Sequence, residues 1–161
     1  VISMDLRAGV ALFGHMGIEV NLLDMDTGEK HILKAAVALH KKYRQLIHSG
    51  KLVRLDSQHG GSSFGVVAAD ASEALFSYAQ LDSLSNSVGD RLRFDGLDKE
   101  SLYEVRIVWP LEPRSYSKSI LDVINGSIIS GDALISGGLQ LPIMLPASLM
   151  VFHLARITQP S

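Results

Sequence analysis

Leu102-Tyr103-Glu104-Val105-Arg106-Ile107-Val108-Trp109 alternates apolar and polar residues with the period of two that marks a half-buried β-strand. Tyr103, Val105, Ile107 and Trp109 fall on one face. Glu104 and Arg106 fall on the other, where opposite charges can pair. Working outward, strands are expected over residues 52–55, 64–69, 74–81, 91–94, 139–145 and 149–157. The intervening stretches 57–63, 83–90 and 113–119 are rich in Gly, Ser, Asn, Asp and Pro. Short strands punctuated by turn residues predict a meandering antiparallel β-sandwich. The expected class is therefore mainly β, with some helix (α+β).

Residues 133–154 contain no Asp, Glu, Lys or Arg, a length that could span a membrane as a helix. Gly137-Gly138, Pro142 and Pro146 interrupt the run, and Leu139, Leu141, Ile143 and Leu145 alternate, as in buried strands separated by turns. No membrane role is expected. Fifteen Lys and Arg against seventeen Asp and Glu give a formal charge of −2, so no broad positive field draws the surface to nucleic acid. With no cysteine there is no disulfide, thiolate nucleophile or Cys-based metal site.

The first fifty residues read differently. Gly9-Val10-Ala11-Leu12-Phe13 is an unbroken apolar run, the pattern of a strand covered on both faces in a parallel sheet. Ile32, Ala36, Leu39, Tyr43 and Leu46/Ile47 recur every three or four residues and predict an amphipathic helix over about 28–49. Thr27 is the expected N-cap, with Glu29 in the first turn. Arg44 and His48 suit the C-terminal dipole, and Gly50 suits a left-handed C′ position. One parallel strand and one helix cannot satisfy their own edges. Residues 1–50 are thus expected to be a remnant of a larger α/β body, and 51–161 a complete sandwich. The start at Val1 fits the same expectation of a piece of a longer chain.

Few residues suggest chemistry. His31, His40 and His48 lack the spacing of a helical metal site and are expected as surface or capping histidines. Asp24-Met25-Asp26-Thr27-Gly28 lacks the later ligands of a calcium loop and suits a helix N-terminus. His59-Gly60-Gly61-Ser62 has no Gly-x-Ser-x-Gly elbow to serve. Asp95-Gly96-Leu97-Asp98 holds two carboxylates, the currency of glycoside hydrolysis, but reads better as a turn. His153 is expected as a hydrogen-bonded core histidine. The candidate site is the loop Gly14-His15-Met16-Gly17-Ile18-Glu19, at the carboxyl end of the expected strand, where barrels place substrate contacts. His15, Met16 and Glu19 are its candidate substrate-adjacent residues, although the glycines also suit a tight turn and Glu19 a structural acceptor. No cofactor and no metal are expected.

The run Arg7-Ala8-Gly9-Val10-Ala11-Leu12-Phe13-Gly14-His15-Met16-Gly17-Ile18-Glu19, with Ala38-Leu39-His40-Lys41-Lys42-Tyr43-Arg44 and Leu46-Ile47-His48-Ser49-Gly50, resembles the end of the catalytic (β/α)8 barrel of melibiase-type α-galactosidases, glycoside hydrolase family 36. Leu75-Phe76-Ser77-Tyr78, Arg91-Leu92-Arg93-Phe94-Asp95-Gly96-Leu97-Asp98, Tyr103-Glu104-Val105, Gly131-Asp132-Ala133-Leu134, Gly138-Leu139 and the closing strand to Arg156 resemble that family's C-terminal β-sandwich.

The resemblance implies a retaining exo-glycosidase that removes terminal α-galactose from melibiose, raffinose or stachyose, using two aspartates on earlier barrel strands. The family's Lys-Trp-Asp run has no counterpart, since the only Trp is Trp109 before Pro110. No catalytic residue is carried over. The expectation is a non-catalytic C-terminal fragment with a structural role, tied to α-galactoside oligosaccharides through its parent enzyme, homo-oligomeric and cytoplasmic. The alternative is a stand-alone carbohydrate-binding module, which needs exposed aromatics. The Ile32/Leu39/Tyr43/Leu46 stripe is expected to lie on the sandwich or on another copy of the chain.

Overall fold

Glu73-Ala74-Leu75-Phe76-Ser77-Tyr78-Ala79-Gln80 is apolar on both alternating faces, so it forms a strand that needs a packed layer above and below. A computed structural model of the chain describes residues 4–13, 24–56, 61–80, 89–110, 118–144 and 148–158, and it supplies both layers. Six strands, β1 (Lys51–Asp56), β2 (Gly61–Val67), β3 (Glu73–Gln80), β5 (Leu102–Trp109), β6 (Ser127–Ser130) and β8 (Ser148–Ile157), form one sheet in the order β1-β2-β3-β8-β5-β6. Every pairing in it is antiparallel. Two further strands, β4 (Arg91–Leu92) and β7 (Leu139–Gln140), pair as a separate antiparallel ribbon. The antiparallel, mainly β class stands, with the second sheet reduced to that ribbon.

One face of the large sheet buries Ala74, Phe76, Tyr78, Tyr103, Val105, Phe152 and Leu154 beneath Leu92, Phe94, Leu134 and Leu141. Phe94 stands edge-on to Phe76 at 5.1 Å and to Phe152 at 6.0 Å, a geometry that aligns positive ring edges with negative faces. A short π-helical turn, Ala133–Gly137, brings Leu134 into this core. The other face buries Val66, Leu75, Leu149 and Val151 beneath two helices, α1 (Met4–Ala11) and α2 (Thr27–Ser49), through Ala8, Leu12, Ala36, Tyr43 and Leu46. The amphipathic stripe thus lies on the sheet, the first of the two fates expected for it.

The strand expected over 9–13 is not formed: residues 4–11 are helical and 12–13 form a turn. A short apolar run fits a buried strand or a buried helix equally well. Here the antiparallel sheet offers this run no parallel neighbour, whereas a helix satisfies its own backbone and can lay Ala8 and Leu12 on the sheet. Its Gly9 packs so closely that an added Cβ would meet the Trp109 ring at 3.1 Å.

Three local expectations also shift. The N-cap of α2 is Asp26 rather than Thr27: Asp26 Oδ1 accepts from the Glu29 amide at 2.7 Å and the Asp26 amide donates back to Glu29 at 3.2 Å, a full capping box. Gly50 is extended (φ −76°, ψ 163°), not left-handed. Glycine is needed there because a Cβ would press on Leu46 O at 2.8 Å as the helix turns into β1. Trp109 does not share a face with Tyr103 and Val105. A register shift between Ile107 and Trp109 turns it to the helix side, where it joins Leu149 and Leu75. Two elements were not expected at all, α3 (Lys118–Ile124) and β6. The sequence Ser-Ile-Ile-Ser of β6 is too short to show alternation.

Because adjacent residues of β3 serve opposite layers, truncating either should be costly. Phe76→Ala is expected to lose about 3–5 kcal/mol and Leu75→Ala about 2–5 kcal/mol, read as shifts in the urea midpoint of unfolding. A near-neutral Leu75→Ala would show that the helical layer contributes little.

Candidate functional site

The sequence points to the loop between α1 and α2. His15, Met16 and Glu19 themselves lie outside the described residues. The anchors at its two ends are described. The carbonyl of Leu12 accepts a hydrogen bond from Nδ1 of His40 at 3.0 Å, which ties the end of α1 to the middle of α2 and fixes the proton on Nδ1. Phe13 meets Phe64 of β2 edge-on at 4.7 Å. At the far end Met25 is buried and the Asp26–Glu29 capping box starts α2. The helix pair therefore presents both ends of the loop in fixed positions on the sheet.

Beneath α2 lies a polar group within an apolar layer. The Tyr43 ring stacks on the ring of His153 from β8 at 4.8 Å and 29°. Nε2 of His153 is buried and lacks a hydrogen bond, with Oε2 of Glu73 on β3 as its near carboxylate at 3.6 Å. Burial holds the imidazole below its ordinary pKa. The Glu73 carboxylate pulls the other way and Lys42 adds to the depression. The expectation of a hydrogen-bonded core histidine is thus half right: His153 sits in the layer, but its inner nitrogen is unsatisfied.

His40, expected with His31 and His48 at the surface or as a cap, is buried, whereas the other two are exposed. Its place was legible: residues 36, 40, 43 and 47 follow the i, i+4, i+7, i+11 spacing of the stripe.

On the opposite face, Tyr78 donates to Oε1 of Gln80 at 2.7 Å and lies 3.2 Å from Oδ2 of Asp90. Gln140 Nε2 reaches the carbonyl of Gly89 at 2.5 Å. Burial, then the Asp90 charge, pushes the Tyr78 phenol well above its ordinary value. No spacing in the sequence links these four residues. They pin the chain where β3, β7 and the residues before β4 meet.

The remaining carboxylates singled out serve turns. Asp98 Oδ2 accepts from Ser101 Oγ at 2.6 Å and its Oδ1 from the Glu100 amide at 3.1 Å; the Ser101 bond, first, lowers its pKa. Gly96, at φ +93°, makes the bend between Asp95 and Asp98 that few other residues adopt. The Asp98 amide in turn donates to the Tyr103 hydroxyl, which donates to Ala71 O at 2.7 Å and ties two turns together. Asp24 and Asp26 flank the helix start as expected. Among the described residues no group of three His, Asp or Glu is placed to hold a metal. Tyr43, Tyr78, Tyr103, Phe76, Phe94, Phe152 and Trp109 are all buried, so none of them offers a sugar-stacking platform.

Comparison with known proteins adds a joint at the same place as the structural one. The Melibiase family matches residues 1–50, and the Glycosyl hydrolase family 36 C-terminal domain matches residues 62–154. The α-galactosidase of Escherichia coli is 34% identical over 162 residues, covering 96% of this chain and 23% of that protein. α-Galactosidase AgaA of Geobacillus stearothermophilus is 35% identical over 107 residues, covering 65% of this chain and 15% of that protein. Among solved structures, the α-galactosidase from Lactobacillus brevis superimposes with a TM-score of 0.81 at 27% identity, covering 100% of this chain and 21% of that one. AgaA in complex with raffinose gives 0.80 at 28% identity, covering 98% and 20%. The chain therefore spans less than a quarter of the length of these relatives.

Two substitutions test the anchors. Asp26→Ala should cost about 1 kcal/mol through loss of the cap. Tyr78→Phe should cost about 1–3 kcal/mol because Gln80 and Asp90 lose a buried partner. Both are read by chemical denaturation, and a Tyr78→Phe chain as stable as the parent would show that the hydroxyl holds nothing in place.

Proposed function

This chain belongs to glycosyl hydrolase family 36, and we propose that it forms the C-terminal part of an α-galactosidase, with residues 1–50 the terminal segment of the catalytic barrel and residues 51–161 the C-terminal β domain. The observation that carries this reading is the shared joint. Helix α2 ends at Ser49, the Melibiase match ends at residue 50, and the sheet begins at Lys51. The names of the relatives supply the substrate class, terminal α-galactosides of the raffinose and stachyose kind.

In this proposal the chain's contribution is structural. Retaining hydrolysis of a glycoside needs two carboxyl groups about 5–5.5 Å apart across the bond. The carboxylates of Asp26, Asp70, Asp90 and Asp98 already accept hydrogen bonds within caps, turns and the Tyr78 cluster, so they are spent on local structure. The β domain holds the helix pair in place, and His15, Met16 and Glu19, which lie between the two helices in sequence, remain the proposed substrate-adjacent residues. Val10 on α1, Leu52 on β1, Val123 on α3 and Ile128 on β6 are exposed apolar side chains. The homo-oligomeric state expected from the sequence remains part of this proposal. No helix among the described residues is long and apolar enough to cross a membrane. The cytoplasmic placement expected from the sequence remains part of this proposal.

The 161-residue chain should not hydrolyse a nitrophenyl α-galactoside, and galactose should give no saturable calorimetric signal. Joined behind the upstream part of the Escherichia coli relative in place of that enzyme's own C-terminal segment, it should yield a folded, active α-galactosidase. Turnover by the chain alone would sink the structural reading, and saturable galactose binding would favour the carbohydrate-binding module.

A further inference from the structure

We propose that His153, Glu73 and Tyr43 form an acid-sensitive clasp that seats helix α2 on the sheet, closed while the His153 imidazole is neutral and loosened when it takes up a proton.

The geometry places one titratable ring at the centre of the joint between the helical layer and the sheet. His153 lies on β8, Glu73 is on the adjacent strand β3, and Tyr43 is the α2 residue stacked on the imidazole at 4.8 Å. Cross-strand register sets Leu75 beside His153 on one side and Arg106 on the other. Among the described residues the charged groups facing the ring can be assigned. Glu73 approaches Nε2 at 3.6 Å, beyond hydrogen-bonding distance. Glu104 on β5 is a second carboxylate, and it is ion-paired to Arg106 on its own strand. Lys42 lies next to Tyr43 with its ammonium 5.4 Å from the Tyr43 ring centre, so it places a positive charge on the same side.

A proton added at Nε2 therefore enters a site roofed by the Tyr43 ring, at an atom that itself has no contact with water. Among the described residues its nearest carboxylate, Glu73, is too far for a direct hydrogen bond, and a cation, Lys42, stands close by. The unsatisfied nitrogen, buried with no partner, is tolerable when neutral and costly when charged. Relief comes from lifting α2 so that water reaches the ring. His40 carries the effect onward, because its bond to the Leu12 carbonyl joins α2 to the end of α1.

The sign follows from linkage. Protonation is disfavoured in the seated state, so the clasp contributes its stability above the ordinary imidazole pKa of 6.5 and loses it as pH falls below that value. Between that value and the lower pKa of the seated state, one proton changes the seated-to-lifted ratio by at most about tenfold per pH unit.

The inference stands apart from the α-galactosidase reading, and its test needs no activity. In the 161-residue chain, amide exchange protection factors of α2 should fall between pH 7.5 and pH 5.0 while those of β3 change less. The emission of Trp109, the only tryptophan, which sits against Gly9 of α1, should move to longer wavelength over the same range. His153→Leu keeps an apolar body at the site and should abolish the pH dependence of α2 protection. Glu73→Gln removes the carboxylate that most favours the proton in the seated state, so on going from pH 7.5 to pH 5.0 the variant should lose more α2 protection than the parent, which keeps the test decisive should the leucine variant not fold. The proposal is overturned by α2 protection that is flat or rises on acidification. It is equally overturned by a His153→Leu chain with the parent's pH profile, or by a Glu73→Gln chain that loses less α2 protection on acidification than the parent.

Discussion

The constraint on which the structure depends is the apolar character of both faces of the central strands β3 and β8. Leu75 and Phe76 point to opposite sides, as do Val151 and Phe152, and all four are fully buried. A bare sheet with such strands would leave one apolar face in water, at roughly 25 cal/mol for each Å² exposed. Two layers must therefore be found within the chain. The β4–β7 ribbon with Phe94 and Leu134 closes one side, and the α1–α2 pair closes the other. The first fifty residues are in consequence a required cover of the sheet, even though family matching assigns them to a different unit from the strands below.

That dual assignment explains where the polar groups sit. A joint between the proposed barrel segment and the β domain must be held in one orientation, and hydrophobic burial alone has little directional preference. The directional contacts here are His40 to Leu12, Tyr43 on His153, and the Asp26–Glu29 cap at the entry of α2. On the far face, Tyr78, Gln80 and Asp90 do the corresponding work among the strand ends. Polar residues buried at both layers thus serve to orient the packing, as the structural role proposed for this chain requires.

The bulge in β5 shows how small a change redirects such a layer. Alternation from Tyr103 predicts Trp109 on the ribbon side. One extra residue after Ile107 turns its ring onto the helical side, where it packs against Gly9 and Leu149. The only tryptophan thereby becomes part of the joint between α1 and the sheet. The absence of a side chain at residue 9 is what lets that helix approach.

What the sequence determined by itself was everything that repeats locally. The alternation of β5 from Tyr103 to Ile107, the stripe of α2, and the turn at Gly96 between Asp95 and Asp98 are periods and backbone preferences written in consecutive residues, and they survive in the structure. The resemblance to family 36 was legible for the same reason, as ordered short motifs. What only the tertiary structure decided depends on residues far apart in the chain. The run at Gly9 to Phe13 has no intrinsic commitment to strand or helix, and the antiparallel sheet beneath it, with no parallel strand to offer, settles it as the end of a helix and the turn that follows. The side taken by Trp109 depends on a register with Val151, and the company of His153 depends on β3, β5 and α2 meeting over it. These outcomes are set by long-range packing, in which each residue's environment is created by partners that local pattern cannot specify.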